Sequence, residues 1–340
     1  MMRTVKFTKG HGTGNDFVIL PDPDGQLTLT PRLVAAICDR RRGVGADGVL
    51  RVVRAAKHPD GAGLAGEAEW FMDYWNADGS LAEMCGNGVR VFVRYLIDTG
   101  LATVDAGLPA AANGAEADGA RADGTLAEAA AAGAATLPVA TRAGLVCAVV
   151  AGQQISVRMR RPRVYGTSVA TLGELSLPGV AVDCGNPHLV CALPPGLELA
   201  ALDLTRPPGV DAAIFPTGVN VEFTTVVEPP AAGGVGPAHS PKAAPAERHV
   251  RMRVHERGSG ETLSCGTGAC AVAAVALRDA GRTTGTVVVE VPGGRLSVAV
   301  DETACWLTGP AVLVATGEID PGSLVASDVH GDGPDAHGDT

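Results

Sequence analysis

The chain contains no stretch of about 18 consecutive apolar residues, so no membrane-spanning helix is expected. It has no long basic run to offset a net charge of -10, which argues against a nucleic-acid partner. It has no C-x-x-C pair among its eight irregularly spaced cysteines, so free thiols are expected rather than a zinc site or any other metal. The N-terminus, MMRTVKFTKGHGTGNDF, has neither an apolar core segment nor a cleavage-like site, and a cytoplasmic location is the expectation. What is present, 340 residues that are 46% hydrophobic, suffices for a sizeable core and roughly two domains.

Large apolar residues are also missing from three segments. Residues 105–135 are dominated by Ala, Gly and Asp, residues 229–247 read PPAAGGVGPAHSPKAAPAE, and the tail at 327–340 is polar. None can offset its own ordering entropy, so two are expected to be flexible insertions and the third a disordered tail. Elsewhere short strands dominate: Val49 to Val53, Glu69 to Trp75, Gln154 to Arg160, His249 to His255 and Thr286 to Val291. TPRLVAAICDRRRG reads as a helix, with Thr30 as N-cap, Pro31 in the first turn and Gly43 after an Arg-rich end. The fold class expected is α/β in the broad sense (α+β), with mixed or antiparallel sheet.

Two stretches carry the chemistry. EMCGNGVR spans Glu83 to Arg90, and LSCGTGAC spans Leu263 to Cys270. After Cys85, Val89, Phe92, Val93, Leu96 and Ile97 fall on one helical face; after Cys265, Ala269, Val272, Ala273, Ala276 and Leu277 do the same. Each cysteine therefore sits at or just before a helix N-terminus, which favours thiolate and binds anions. The recurrence points to two similar domains facing each other across a cleft. Two such thiols could serve one carbon, one removing a proton and the other supplying one on the opposite face. Without a pyridoxal electron sink, the carbanion would need donors aimed at its carboxylate, which Gly-Asn-Gly and Gly-Thr-Gly could supply. GVGADG, Gly43 to Gly48, fits the dinucleotide pattern literally, but it follows a helix and leads into a strand, so a nucleotide site is rejected.

In order, GTGNDFVIL, RRGVGADGVL, YWNADGSLAEMCGNGVR, CGNPHLV, GVNVEF and ERGSGETLSCGTGACA resemble the diaminopimelate epimerase family from about Val5 to about Asp320. The resemblance implies two pseudo-symmetric mixed-sheet domains, each wrapping a central helix, with the active site between them. The domains would be 1–135 and 136–307, with 308–326 returning as a strand to the first. It implies interconversion of LL- and meso-diaminopimelate in lysine and peptidoglycan-precursor synthesis, by a homodimer that uses no cofactor.

Carried over residue by residue, Cys85 and Cys265 resemble the acid–base pair. Asn15, Asn76, Asn186 and Asn220 resemble asparagines that hold substrate. Gly86 with Asn87 and Gly266 with Thr267 resemble the anion-binding helix starts. Glu256 and Arg257 resemble the pair at the substrate's distal end. His188 and Glu256 resemble residues that tune the thiols. There is one departure: some members contact substrate with a glutamine where this chain has Gly48.

Plainer readings stand beside these. Cys38, Cys147, Cys184, Cys191, Cys270 and Cys305 read as small core residues. The asparagines could be turn residues, and Arg257 could be a solvated charge. The competing functions are a proline or hydroxyproline racemase-type enzyme, a hydrolase using one cysteine with His188 as base, and a metabolite-binding protein with inert thiols.

Overall fold

The computed structural model describes residues 4–103, 135–227 and 248–326. The expected insertions and tail lie outside the described residues, except for Ala135, which opens a strand. The strands of the N-terminal part are β1 (Val5–Gly12), β2 (Asn15–Pro21), β3 (Gly48–Arg54), β4 (Trp70–Asn76), β5 (Ala135–Thr141), β6 (Gly144–Ala151) and β7 (Gln154–Met159). There follow β8 (Arg163–Leu172), β9 (Leu175–Asp183), β10 (Pro187–Ala192), β11 (Asn220–Val226), β12 (Arg248–Glu256), β13 (Gly260–Thr262), β14 (Gly285–Val291), β15 (Gly294–Val300), β16 (Cys305–Pro310) and β17 (Val312–Ile319). The helices are α1 (Pro31–Cys38), α2 (Gly86–Asp98), α3 (Gly266–Asp279) and α4 (Pro321–Ala326). The mixed, sheet-rich α+β architecture agrees with the sequence expectation.

The strand pairings repeat. Starting from β17, each strand from β1 to β7 pairs with the next in the order antiparallel, antiparallel, parallel, antiparallel, parallel, antiparallel, antiparallel. Starting from β8, the series β9, β10, β11, β12, β14, β15 and β16 gives the same order of senses. The two series join through the antiparallel pair β7–β16, and β13 folds back on β12. β17, last in the chain, supplies the outer strand of the first series by pairing with β1. In both series a helix fills the parallel crossover at the same point: α2 lies between β4 and β5, and α3 lies between β12 and β14. Strand β5 begins at Ala135, on the boundary expected at 135/136, and β6 and β7, beyond it, pack on α2 with β1 to β4.

Position in the ladder explains the burial of these helices. α2 is buried at every position from Gly86 to Leu96, and α3 at most positions from Gly266 to Leu277. The apolar stripes read from the sequence are one face of helices that strands surround. Both helices belong to one apolar cluster with Phe17, Leu50, Met72, Ile155, Val254, Val289 and Leu307. Each fully buried large side chain there contributes about 1.5–3 kcal/mol.

The first helix differs from expectation at its end. Thr30 caps it through Leu33 N–H (3.2 Å) as expected, but it stops at Cys38 rather than running to Gly43. The Asp39 side chain accepts from the N–H groups of Arg41 and Arg42, which diverts the backbone into a turn.

Leu307 of β16 is fully buried beneath both helix starts, with Cδ2 3.0 Å from where a Cβ on Gly86 would stand and 2.9 Å from the same point on Gly266. Leu307→Ala should therefore cost about 2–5 kcal/mol in a urea unfolding experiment. A change within error would mean that the two helix starts do not rest on this side chain.

Candidate active site

The repeated pairing puts corresponding residues in corresponding places. Gly48 opens β3 and Asn220 opens β11, while Asn76 closes β4 and Glu256 closes β12. Phe17 pairs with Gly48 as His188 pairs with Asn220. Counting back two residues, Asn15 corresponds to Asn186. Cys85 immediately precedes α2 and Cys265 immediately precedes α3.

Both cysteines are N-caps in extended conformation, and each sulfur accepts the N–H of the third helical residue, Gly88 or Gly268, at 3.4 Å. A capping sulfur gains strength as an acceptor when it becomes thiolate. The space above the second cap is the tighter. A Cβ on Gly88 would touch Leu50 and Phe17, and one on Gly268 would stand 2.6 Å from Glu222 Oε1.

The two helix starts meet. Asn87 Nδ2 reaches Asn15 Oδ1 (3.2 Å), Ser264 O (3.3 Å) and Ser264 Oγ (3.3 Å), so one carboxamide ties the Cys85 cap to the residue before Cys265. Thr13 Oγ1 lies 2.9 Å from Ser264 Oγ and receives Arg90 Nη2 at 3.2 Å. Thr13 is the one non-glycine residue with a positive φ (53°) among the described residues, and it holds the β1–β2 turn against the opposite half.

Around Cys85, the sulfur faces Asn15 Oδ1 at 3.6 Å, and Asn15 Nδ2 is fixed by Asp47 (2.8 Å). Around Cys265, the sulfur faces Thr267 Oγ1 at 3.5 Å, Thr267 receives Asn186 Nδ2 at 3.4 Å, and Asn186 Oδ1 meets His188 Nε2 at 3.1 Å. Asn220 Oδ1 accepts the backbone N–H of Arg257 (2.9 Å), and Arg257 Nη1 donates to Thr217 O (3.0 Å). Glu256 accepts from Thr262 Oγ1 and has the Cys265 thiol as a further hydrogen-bond neighbour.

Most residues singled out from sequence thus converge, with three qualifications. The Asn87 side chain is buried and bound to protein, which leaves its backbone N–H as the group able to meet a ligand. The Asn76 carboxamide is engaged by Ser80 Oγ (3.0 Å). Arg257 is exposed on the turn after β12. At Gly48, a Cβ would stand 2.5 Å from Trp75 O, so this backbone admits no side chain there.

The electrostatics differ from the sequence expectation. A helix N-terminus alone would lower both thiols, but burial pushes Cys85 up to about 11 and Cys265 well above its ordinary value. Glu256 adds to both shifts, while the capping N–H groups act in the opposite direction. Burial therefore favours the protonated thiol at both positions.

Two relevant groups escaped sequence reasoning. Arg90 is fully buried and makes no ion pair among the described residues; burial draws it down to about 10. Its signal was its place five residues after Cys85. Glu222 is fully buried, with Oε1 2.7 Å from His188 Nδ1. Its signal was a lone acid inside the apolar strand pattern NVEF.

The other six cysteines are buried and unpaired. No described helix is long and apolar enough to cross a membrane.

The diaminopimelate epimerase family profile matches residues 7–115 and 180–318. The chain is 45% identical to a diaminopimelate epimerase of Mycolicibacterium smegmatis over 93% of this chain and 97% of that one. It is 46% identical to a diaminopimelate epimerase of Streptomyces coelicolor over 94% and 97%. Its fold is similar to a phenazine biosynthesis protein of the PhzF family from Bacillus anthracis (TM-score 0.60, 16% identity, 94% and 99% covered). It is also similar to a hydroxyproline epimerase from Agrobacterium vitis (TM-score 0.56, 14% identity, 93% and 91% covered).

Because burial dominates, alkylation of Cys85 in the ligand-free protein should accelerate about tenfold per pH unit from about pH 7 to about pH 10. Peptide mapping by mass spectrometry after short pulses of iodoacetamide reads this. A plateau below about pH 9 would show that the helix end outweighs burial.

Proposed function

The chain belongs to the diaminopimelate epimerase family, and on that footing we propose that it is an isomerase interconverting LL- and meso-diaminopimelate with Cys85 and Cys265 as its proton-transfer pair. The observation that carries this reading is that the two sulfurs cap two buried helices whose first turns are tied together by Asn87 and Ser264.

In the proposed reaction the substrate α-carboxylate accepts N–H groups at the two helix starts, from Gly86 and Asn87 on one side and Gly266 and Thr267 on the other. These groups are fixed before substrate arrives, so they stabilise the carbanion without reorganising. The carboxylate brings no acidic proton of its own, so one thiol must first lose its proton to solvent or to a neighbour. That thiolate takes the α-proton, and the electron pair of the broken C–H bond spreads onto the carboxylate. The other thiol gives its proton to the opposite face of the same carbon. The first sulfur ends as thiol and the second as thiolate, so charge balances and each group is base in one direction and acid in the other.

Asn15 and Asn186, at equivalent positions beside the two thiols, are assigned to substrate contact. Asn76 and Asn220 are assigned to the same role, for Asn76 after release from Ser80. Glu256 and Arg257 are assigned to the distal amino-acid end. This supports diaminopimelate over a proline-type substrate, which has no second charged end to satisfy. His188 and Glu256 are assigned to adjusting the thiols. No pyridoxal phosphate or metal enters the proposed reaction. We further propose two domains, with the boundary moved from the expected 135/136 to after β7 because β6 and β7 pack on α2, a cytoplasmic homodimer, and a role in lysine and peptidoglycan-precursor synthesis.

Cys85→Ser and Cys265→Ser should each lower epimerisation of LL-diaminopimelate by at least about 100-fold, since a serine hydroxyl is a far weaker acid than a thiol. Full activity in either variant contradicts the two-thiol reading. Mild oxidation should join Cys85 to Cys265 and abolish turnover, with recovery on reduction. Two free thiols found by mass spectrometry in the oxidised, inactive protein would contradict that proximity.

A further inference from the structure

The two halves of the ladder differ at a buried place beside each capping cysteine. In the first half, Phe17 and Leu50 pack over Gly88 beside Cys85. The equivalent positions in the second half hold His188 and Glu222, both fully buried, and Glu222 packs over Gly268 beside Cys265. The first half shows that the fold needs no ionisable pair here.

We propose that Glu222 is a positioning residue for the Cys265 half-reaction: as the protonated acid it donates to His188 Nδ1 and so fixes the polarity of a hydrogen-bond chain that ends on the Cys265 sulfur. The distances trace this chain: Glu222 Oε1 to His188 Nδ1 is 2.7 Å, His188 Nε2 to Asn186 Oδ1 is 3.1 Å, Asn186 Nδ2 to Thr267 Oγ1 is 3.4 Å and Thr267 Oγ1 to Cys265 Sγ is 3.5 Å.

With Nδ1 occupied as acceptor, the imidazole proton sits on Nε2 and is donated to the Asn186 oxygen. The Asn186 amide nitrogen then faces Thr267, and the Thr267 hydroxyl is left to donate to sulfur. If Glu222 were ionised beside neutral imidazole, Nδ1 would carry the proton and Nε2 would accept. Asn186 would have to turn over, the Thr267 proton would point to its oxygen, and Cys265 would lose that donor. One proton in the core thus decides whether the thiolate form of Cys265 is met by an O–H group.

Glu222 Oε2 is buried without a partner among the described residues, which suits a neutral carboxyl better than a carboxylate. Burial also pushes this carboxyl up from its ordinary value. The neighbouring ionisable groups on other elements are His188, Glu256, Cys265, Cys184 and Cys191, none of which is a fixed cation. The Cys85 side has the opposite polarity, since Asp47 binds the Asn15 amide nitrogen and leaves its oxygen facing the Cys85 thiol. Beyond the capping N–H groups and Glu256, Cys85 thus faces an amide oxygen and Cys265 a hydroxyl.

This inference rests on the proposed role of Cys265, and the test separates the two. In ¹⁵N-histidine-labelled, ligand-free wild-type protein near neutral pH, His188 should carry its proton on Nε2. A proton on Nδ1, with or without one on Nε2, overturns the proposal, whatever Cys265 does in turnover. Glu222→Gln, whose amide can donate to Nδ1, should keep the Nε2–H signature and kcat within a few-fold. Glu222→Leu, which places the first half's residue in the second, should lose the fixed tautomer and on the order of 10-fold or more in kcat while KM changes less. Equal impairment in Glu222→Gln and Glu222→Leu, or wild-type kcat in Glu222→Leu, overturns it. A wild-type Nε2–H signal alongside an active Cys265→Ser variant would instead count against the two-thiol reading alone.

Discussion

A sulfur atom that caps a buried helix is the constraint on which the rest of this structure depends. A thiol in an apolar interior resists ionisation, and the capping N–H of Gly88 or Gly268 is a direct counterweight. That geometry requires a nearly bare first turn, so Gly86, Gly88, Gly266 and Gly268 follow from it. Larger residues at Gly86, Gly266 and Gly268 would strike Met159, Leu307 or Glu222. It also requires the helix to be enclosed, which eight strands in each series accomplish. The same enclosure raises both thiols against the pull of the capping N–H groups.

The second requirement is that two such caps meet. Chain order could not bring them together without the exchange at the ladder's ends, where β17 crosses back to pair with β1 and β7 joins β16. The side chains of Thr13, Asn87, Arg90 and Ser264 then fix one helix start against the other. Arg90 brings a buried positive charge with no carboxylate partner among the described residues, close enough to lower Cys85. An unpaired buried cation is costly, and a neighbouring thiolate is the anion that would relieve it.

Much of this was legible in the sequence because it is written twice. Cys-Gly-Asn-Gly and Cys-Gly-Thr-Gly declare two equivalent helix starts, and apolar spacing declares the helices behind them. Strands such as β3 and β14 were legible from their Val-rich runs. The extent of α1 was not, because the Asp39 side chain outcompetes the helix for two backbone donors. The sign of the thiol shifts was not, because a local rule about helix ends cannot see the burial around it. Glu222 and Arg90 were hidden for the same reason: a charged residue in a strand or helix reads as solvent-facing until the ladder is known. The pairing register, which equates Glu222 with Leu50, makes its presence informative.

The central claim, that two thiols address one carbon from opposite faces, is tested most directly by isotope partition in D₂O. LL-diaminopimelate with ordinary hydrogen is converted to low extent, and the α-hydrogen of product and of recovered substrate is read separately by NMR. The two-base account predicts product deuterated at the inverted carbon and recovered substrate that still carries its original hydrogen. Deuterium in both pools at equal rates would mean that a single base serves both faces, and would contradict the account.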